Sequence, residues 1–398
     1  MSKPIDADVE RAKSKGESLI LEVFSGTPMR IALSALLGFL LGALFIGVFS
    51  SRVVATYPTF GDDPWRTIST ALKSIADGYG GLLRGAIFNP SGNDFVSMIR
   101  PLTETLRFGA PLIMAGLGIA LGFRVGLFNI GGTGQMAIGL IGATWVSTRL
   151  SLPWGLHLIL AIAVTVLLAA AWGGLAGYLK ARTGAHEVIV TIMLNYVALG
   201  LFTWFLREPY LLLEAGGAGN PKSDAPAVTA QLPSLFGPSL LVHAGVFLAV
   251  IAVVGYWWLM ERSTIGYRFR FVGHNSSAAR AAGLNVEKTY FWAMATSAAL
   301  IGLAAANQGL GETAGLSPGI HANIGFDAIT VALLGGSRTR GVIYAGLLLG
   351  AFRAGGATMQ SAGVSPYVLG IIQALIVLFV AAPPIIKAIF RLPVKEVK

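Results

Sequence analysis

The sequence predicts an all-α polytopic membrane protein with about ten transmembrane helices and both termini on the cytoplasmic side. Three observations carry this expectation. Of 398 residues, 54% are hydrophobic and only 12% are charged, where a soluble domain carries about a quarter, and the mean hydropathy is +0.70. A globular core cannot hide that much apolar surface, whereas a bilayer accepts it if each segment closes its own backbone hydrogen bonds. The apolar residues also come in runs close to the length of about 20 that a helix needs to span. Finally, 19 of the 29 Lys and Arg fall in loops that alternate to one side and 8 in loops on the other, which orients the chain with its termini inside. The same bias accounts for most of the net charge of +10, so no nucleic-acid partner is needed. With no cysteine, disulfides, thiol nucleophiles and thiolate metal sites are excluded.

Taken in order, residues 1–30 carry five basic and five acidic side chains in no apolar context. That suits neither a signal nor a transit peptide, and a cytoplasmic tail is expected. Residues 31–50 form an uninterrupted first transmembrane helix. Residues 51–100 hold Pro58, Pro64 and Pro90, yet Trp65, Ile68, Leu72, Ile75, Tyr79 and Leu82 recur at helical spacing. An external amphipathic helix on the membrane surface fits, as does a short helix packed on the ends of others. Residues 101–386 are the core, with further apolar segments at 101–122, 130–148, 154–178, 188–206, 239–259, 290–307, 326–335, 341–355 and 366–386. Residues 326–335 and 341–355 are too short to span alone. They must be extended by neighbours or be broken helices, which a membrane tolerates where irregular backbone lines a cavity or is buried in protein. Within the core, residues 260–289 make the longest cytoplasmic connection. It is basic, and Ala278, Ala279, Arg280, Ala281 and Ala282 run into Gly283, as in a short helix with a glycine cap; a solvated loop against lipid headgroups is the alternative. Residues 387–398 form a cytoplasmic C-terminal tail.

Enzyme signatures fail on inspection. No Gly-Lys dipeptide exists, so there is no Walker A loop. His186-Glu187 lacks the second histidine of a zinc helix, and the five histidines do not cluster. Gly315-Leu316-Ser317-Pro318-Gly319 matches a nucleophile elbow, but the residue after the serine is proline, which has no N–H for an oxyanion hole. The remaining chemistry is polar residues inside apolar spans. Asn129, Gly131, Gly132, Thr133, Gly134 and Gln135 are the densest set, and three glycines in four residues disfavour helix by about 1 kcal/mol each. A helix break offering donors and acceptors to a neutral solute follows, unless the amides are interhelical glue between close-packed small residues. Asn195 lies within another span. Asp327 opens a short apolar helix as a cap or as a solute contact, Glu104 and Arg107 can pair on one helix face, and Arg353 has no evident partner.

Three blocks carry a family resemblance. Phe123-Arg124-Val125-Gly126-Leu127-Phe128-Asn129-Ile130-Gly131-Gly132-Thr133-Gly134-Gln135 resembles the signature of ABC-importer permeases of the type that carries ribose-like sugars, branched-chain amino acids and nucleosides. The run from Gly266 and Arg268 through Gly273 to Ala278, Ala279, Arg280 and Gly283 resembles the family's cytoplasmic coupling segment, and Leu316-Ser317-Pro318-Gly319 with Gly325 to Gly336 resembles its second-half block. Residues Ile192 to Tyr196 are most similar to the nucleoside and simple-sugar permeases, although Thr133 stands where an acidic residue is common.

The resemblance implies a transport subunit, not an enzyme, that moves a small neutral solute across the bacterial inner membrane, a nucleoside first and a ribose-like sugar second. An ion-coupled secondary transporter is the remaining alternative. The implied partners are a second permease, an ABC ATPase that can carry two fused nucleotide-binding domains and binds the ATP and magnesium, an extracytoplasmic solute-binding lipoprotein, and lipid. Asn129, Gly131, Gly132, Gln135, Asn195 and Asp327 would line the solute path, and the 266–283 residues would couple to the ATPase.

Overall fold

The computed structural model describes residues 27–208, 221–237, 239–311, 315–320 and 323–390. Most of both expected tails, residues 1–26 and 391–398, lies outside the described residues. Among the described residues the chain is helical with no β-strand, only an isolated bridge between Ser234 and His243. The helices are α1 (Thr27–Phe49), α2 (Ser51–Val54), α3 (Pro64–Ala86), α4 (Phe95–Arg124), α5 (Gly132–Arg149), α6 (Leu156–Thr183), α7 (Glu187–Arg207), α8 (Gly245–Trp257, continued by a π turn Trp258–Arg262), α9 (Thr264–His274), α10 (Ser276–Ala281), α11 (Val286–Gly311), α12 (Ile324–Leu334), α13 (Thr339–Ser361), α14 (Pro366–Ala381) and α15 (Pro383–Ile389).

Seven of these are long and apolar enough to cross a membrane: α1, α4, α6, α7, α8 with its π turn, α11 and α13. Each expected apolar segment overlaps a helix, although 239–259 becomes helical only from Gly245 and 366–386 is divided between α14 and α15. Residues 341–355 are extended by neighbours into the 23-residue α13, whereas 326–335 remain a helix of 11 residues. The 130–148 segment becomes α5, buried on most sides and too rich in Gly, Thr and Ser to reach the apolarity of the seven. The helix expected from residue 101 starts at Phe95, because Asp94 and Ser97 form a capping box that satisfies its first N–H groups. The last residues of the expected 51–100 segment are therefore helix α4. At the other end, α14 stops at Ala381 because Pro383 and Pro384 cannot continue it.

Two compact units are formed, residues 1–80 with 359–398 and residues 81–358. In the first, α1 and α14 approach closely where Gly38 meets Ile376 and Gly42 meets Ile372. Arg52 pairs with Asp77 at 3.0 Å, and the Tyr79 hydroxyl donates to the Phe39 carbonyl at 2.5 Å. The amphipathic α3 buries Thr67, Ser74 and Gly78 and leaves Trp65, Ile68 and Leu72 outward. In the second, α11 is the central post against α4, α5 and α6. Small residues permit the approach: a methyl group on Gly302 would lie 2.8 Å from the Val166 Cα, and one on Gly177 2.9 Å from the Phe291 Cα. The outward faces carry Ile159, Leu167, Ile189, Tyr196, Phe247 and Ile251, all exposed. Apolar rows of that extent are not sustained in water and fit lipid.

Candidate functional site

The turn between α4 and α5 leaves helical geometry at Gly126, whose φ of +75° is open to glycine without strain. The chain then folds back so that Asn129 is fully buried beside α11. Its amide faces that of Gln135 in a two-way pair: Asn129 Nδ2 donates to Gln135 Oε1 at 3.1 Å, and Gln135 Nε2 donates to Asn129 Oδ1 at 3.0 Å. Asn129 Nδ2 also donates to Ser297 Oγ at 2.9 Å, and Asn129 Oδ1 accepts from the Gly131 N–H at 2.9 Å. Two donors and two acceptors are thereby all satisfied within the protein. Ser297 in turn donates to the Gly118 carbonyl at 2.6 Å, so the knot ties α4, the turn, α5 and α11. It has the arrangement of interhelical glue.

Asn195 holds the other side of the turn. Its Oδ1 accepts from the Gly134 N–H at 2.8 Å and its Nδ2 donates to the Ile130 carbonyl at 2.9 Å. Thr191, one turn earlier on α7, takes the Ile130 N–H at 3.3 Å. Where α6 ends and α7 begins, Glu187 pairs with Lys180 at 2.6 Å and accepts the Phe128 N–H at 3.4 Å.

Gly132 makes a different contact. The start of α5 abuts the start of α12, and a methyl on Gly132 would lie 2.6 Å from the Gly325 carbonyl oxygen. Two broken-helix ends therefore meet through backbone. Asp327, one turn into α12, does not cap that helix, because the N-cap residue is Asn323. It pairs instead with Arg353 of α13 at 2.6 Å, with both side chains partly exposed. Glu104 takes Arg100, four residues before it, at 3.2 Å.

Residues 263–283 form two short helices with side-chain caps: Ser263 accepts from Gly266 N and Asn275 from Ala278 N. Gly283 (φ +82°) ends the second, with the Leu284 N–H returning to the Ala279 carbonyl at 3.0 Å. Of the expected coupling residues, Gly266 and Ala279 are buried, Ala279 among Val272 and Val286, while Arg268, Ala278, Arg280 and Gly283 are exposed. Arg280 pairs with Glu287 at 2.6 Å. Gly273 lies on the backbone of the α4–α5 turn, where a methyl would come 3.0 Å from the Val125 Cα. Beside it, Glu261 bridges Arg124 at 2.5 Å and Arg270 at 3.1 Å. Arg268, Gly283 and Lys288 line a cleft of about 530 Å³ with Ile265, Asn285 and Trp292.

Ser297 and Thr191 carry no signal in the sequence, Glu187 stands there only in a failed zinc-helix match, and Gly325 only at the head of the second-half block. Ser297 is one hydroxyl in an alanine-rich run, and its partner is 168 residues away, so only the folded chain brings the two together.

A many-helix membrane protein with broken helices packed around a buried amide knot, and a capped basic segment at one end, is the build of a solute permease. The chain belongs to the family described as branched-chain amino acid transport system, permease component, which matches residues 102–381. It is similar to a guanosine ABC transporter permease of Bacillus subtilis (39% identical over 312 residues, 78% of this chain and 86% of the relative). It is also similar to a glucose ABC transporter permease of Haloferax volcanii (36%, covering 70% and 75%) and a nucleoside ABC transporter permease of Lactococcus lactis (32%, covering 72% and 81%). No solved structure matches. The chain is thus a multi-pass transport subunit that works with ABC partner components, and not itself an enzyme.

Proposed function

We propose that this chain is the permease subunit of an ATP-driven importer that carries a nucleoside across the bacterial inner membrane. The observation that carries the solute class is the likeness to two permeases named for guanosine and for nucleosides over most of their length. The chemistry of the spans agrees. The break between α4 and α5 is held by amides and hydroxyls, and Asp327 at the second break is neutralised by Arg353, so a path beside them presents no net charge to its cargo. Asn129, Gly131, Gly132, Gln135 and Asn195 build and brace the wall of that path, and Asp327 stands at its second break. The glucose permease relative favours a simple sugar as the second reading.

The ten apolar helices α1, α4–α8 and α11–α14 lie within the bilayer, α12 as a broken half-helix, with both termini and residues 260–289 cytoplasmic. The Lys and Arg bias supports that orientation, and the outward stripe of α3 rests on lipid. A paralogous second permease completes the path, and a solute-binding lipoprotein delivers the cargo outside. An ABC ATPase, with ATP and magnesium, docks on the exposed Arg268 and Lys288 cleft. Its movement reaches the α4–α5 turn through Gly273 and the Arg124–Glu261–Arg270 bridge, as a rigid-body shift.

Docking is tested by reversing the charge of both cleft residues, Arg268→Glu with Lys288→Glu. The expected result is a permease that reaches the membrane but no longer retains its ATPase on purification; full retention would sink the docking assignment.

A further inference from the structure

Helix α12 carries a face whose composition does not suit lipid. Asn323, Phe326, Asp327 and Thr330 fall at i, i+3, i+4 and i+7 and so share one side. Phe326 is 63% exposed, Asn323 is exposed, and Asp327 and Thr330 are half-exposed. Ile324, Gly325, Ala328, Val331 and Ala332 are buried on the other side. An amide, a carboxylate and a hydroxyl on one outward strip are expensive in hydrocarbon and point to a wet cavity or a polar ligand.

Depth supports this. Arg353, the partner of Asp327, follows Thr339 by 14 positions in a helix that qualifies as a span, which places its Cα about 21 Å along that helix at 1.5 Å per residue. An ion pair left partly exposed there, with side-chain exposures of 18% and 24%, requires a polar surrounding inside the membrane. The position is also rigid, because the residue before Phe326 is Gly325, locked by backbone contact with Gly132 and Thr133 of α5.

A large aromatic ring held out into a polar space at membrane depth is what a flat heterocycle requires: its face stacks on the base, and neighbouring polar groups remain for the sugar. We infer that Phe326 is the platform on which the nucleobase stacks during passage, and so a specificity-determining residue for nucleoside over simple sugar. The inference rests on the nucleoside reading of the solute.

The test uses the complete importer, with its ATPase, second permease and binding protein, reconstituted in proteoliposomes and supplied with radiolabelled guanosine. Phe326→Leu keeps bulk and apolarity but removes the ring. Its uptake is expected to fall by about tenfold with the complex still intact, while Phe326→Tyr and Phe326→Trp stay within about threefold of the unchanged protein. Unchanged guanosine uptake by the leucine variant overturns the inference. Equal loss in all three variants, or dissociation of the leucine complex, also overturns it, because the ring is then a packing or subunit contact. If the unchanged importer carries no nucleoside, the solute reading falls and this inference with it; if it carries guanosine indifferently to residue 326, only this inference falls.

Discussion

At the scale of single residues, Asn129 has no hydrogen-bonding position left over. Asn129→Leu strands the Gly131 N–H and the Gln135 amide in a dry interior, at about 1–3 kcal/mol for each orphaned group. Ser297→Ala removes two bonds, the acceptor for Asn129 Nδ2 and the donor to the Gly118 carbonyl, and orphans one buried donor, at about 1–3 kcal/mol. Thermal unfolding in detergent should therefore rank Asn129→Leu below Ser297→Ala; equal losses would show that the amides are not paired. Gly325→Ala drives a methyl into the backbone of Thr133. An overpacking loss of about 1–3 kcal/mol is expected in the same assay, and a neutral result would mean that the two helix ends do not touch. The polar glycine cluster made a break near Asn129 legible from the sequence, but the break lies at 125–131, and Gly132 and Gly134 sit inside the first turn of α5. The partners of the break were not legible. Ser297 and Thr191 are ordinary hydroxyls in helices, where bonding to the previous turn is the usual outcome. The Asp327–Arg353 pair joins two helices whose register no local pattern fixes.

Helices were more legible than contacts, and their ends followed capping chemistry more than apolarity. The early start of α4 came from Asp94, whose carboxyl is held below the usual carboxylate range by the hydrogen bonds from Ser97. A carboxyl depressed on folding stabilises the helix start above its unfolded pKa, and that support is lost as pH falls through the folded value. The short helix before Gly283 was readable because a glycine at positive φ ends helices in a recognisable way. The role of Gly273 was not, since it depends on how α9 meets the α4–α5 turn. The Glu261 bridge is half-exposed, so its direct contribution to stability is small, and the proposed relay assigns its effect to coupling. In the assembled importer, Glu261→Gln is expected to raise the ATP hydrolysed per solute imported about threefold or more, as for a coupling term of about 0.7 kcal/mol, with little change in melting temperature. An unchanged ratio would remove Glu261 from the relay.

For the whole molecule, the membrane class follows from composition, and the packing explains how so many glycines serve it. They let α11 lie against α4 and α6 at backbone distance, where apolar burial gives no net drive between helices in lipid. The central claim is that this scaffold moves nucleosides at the expense of a partner's ATP. ATP-dependent accumulation of radiolabelled guanosine in proteoliposomes holding the chain with its ABC partners tests it most directly. The account predicts uptake that requires ATP inside the partner's compartment, is competed by unlabelled nucleosides and is not competed by ribose or glucose. Uptake that persists without the ATPase, or that yields to sugars and not to nucleosides, would contradict it.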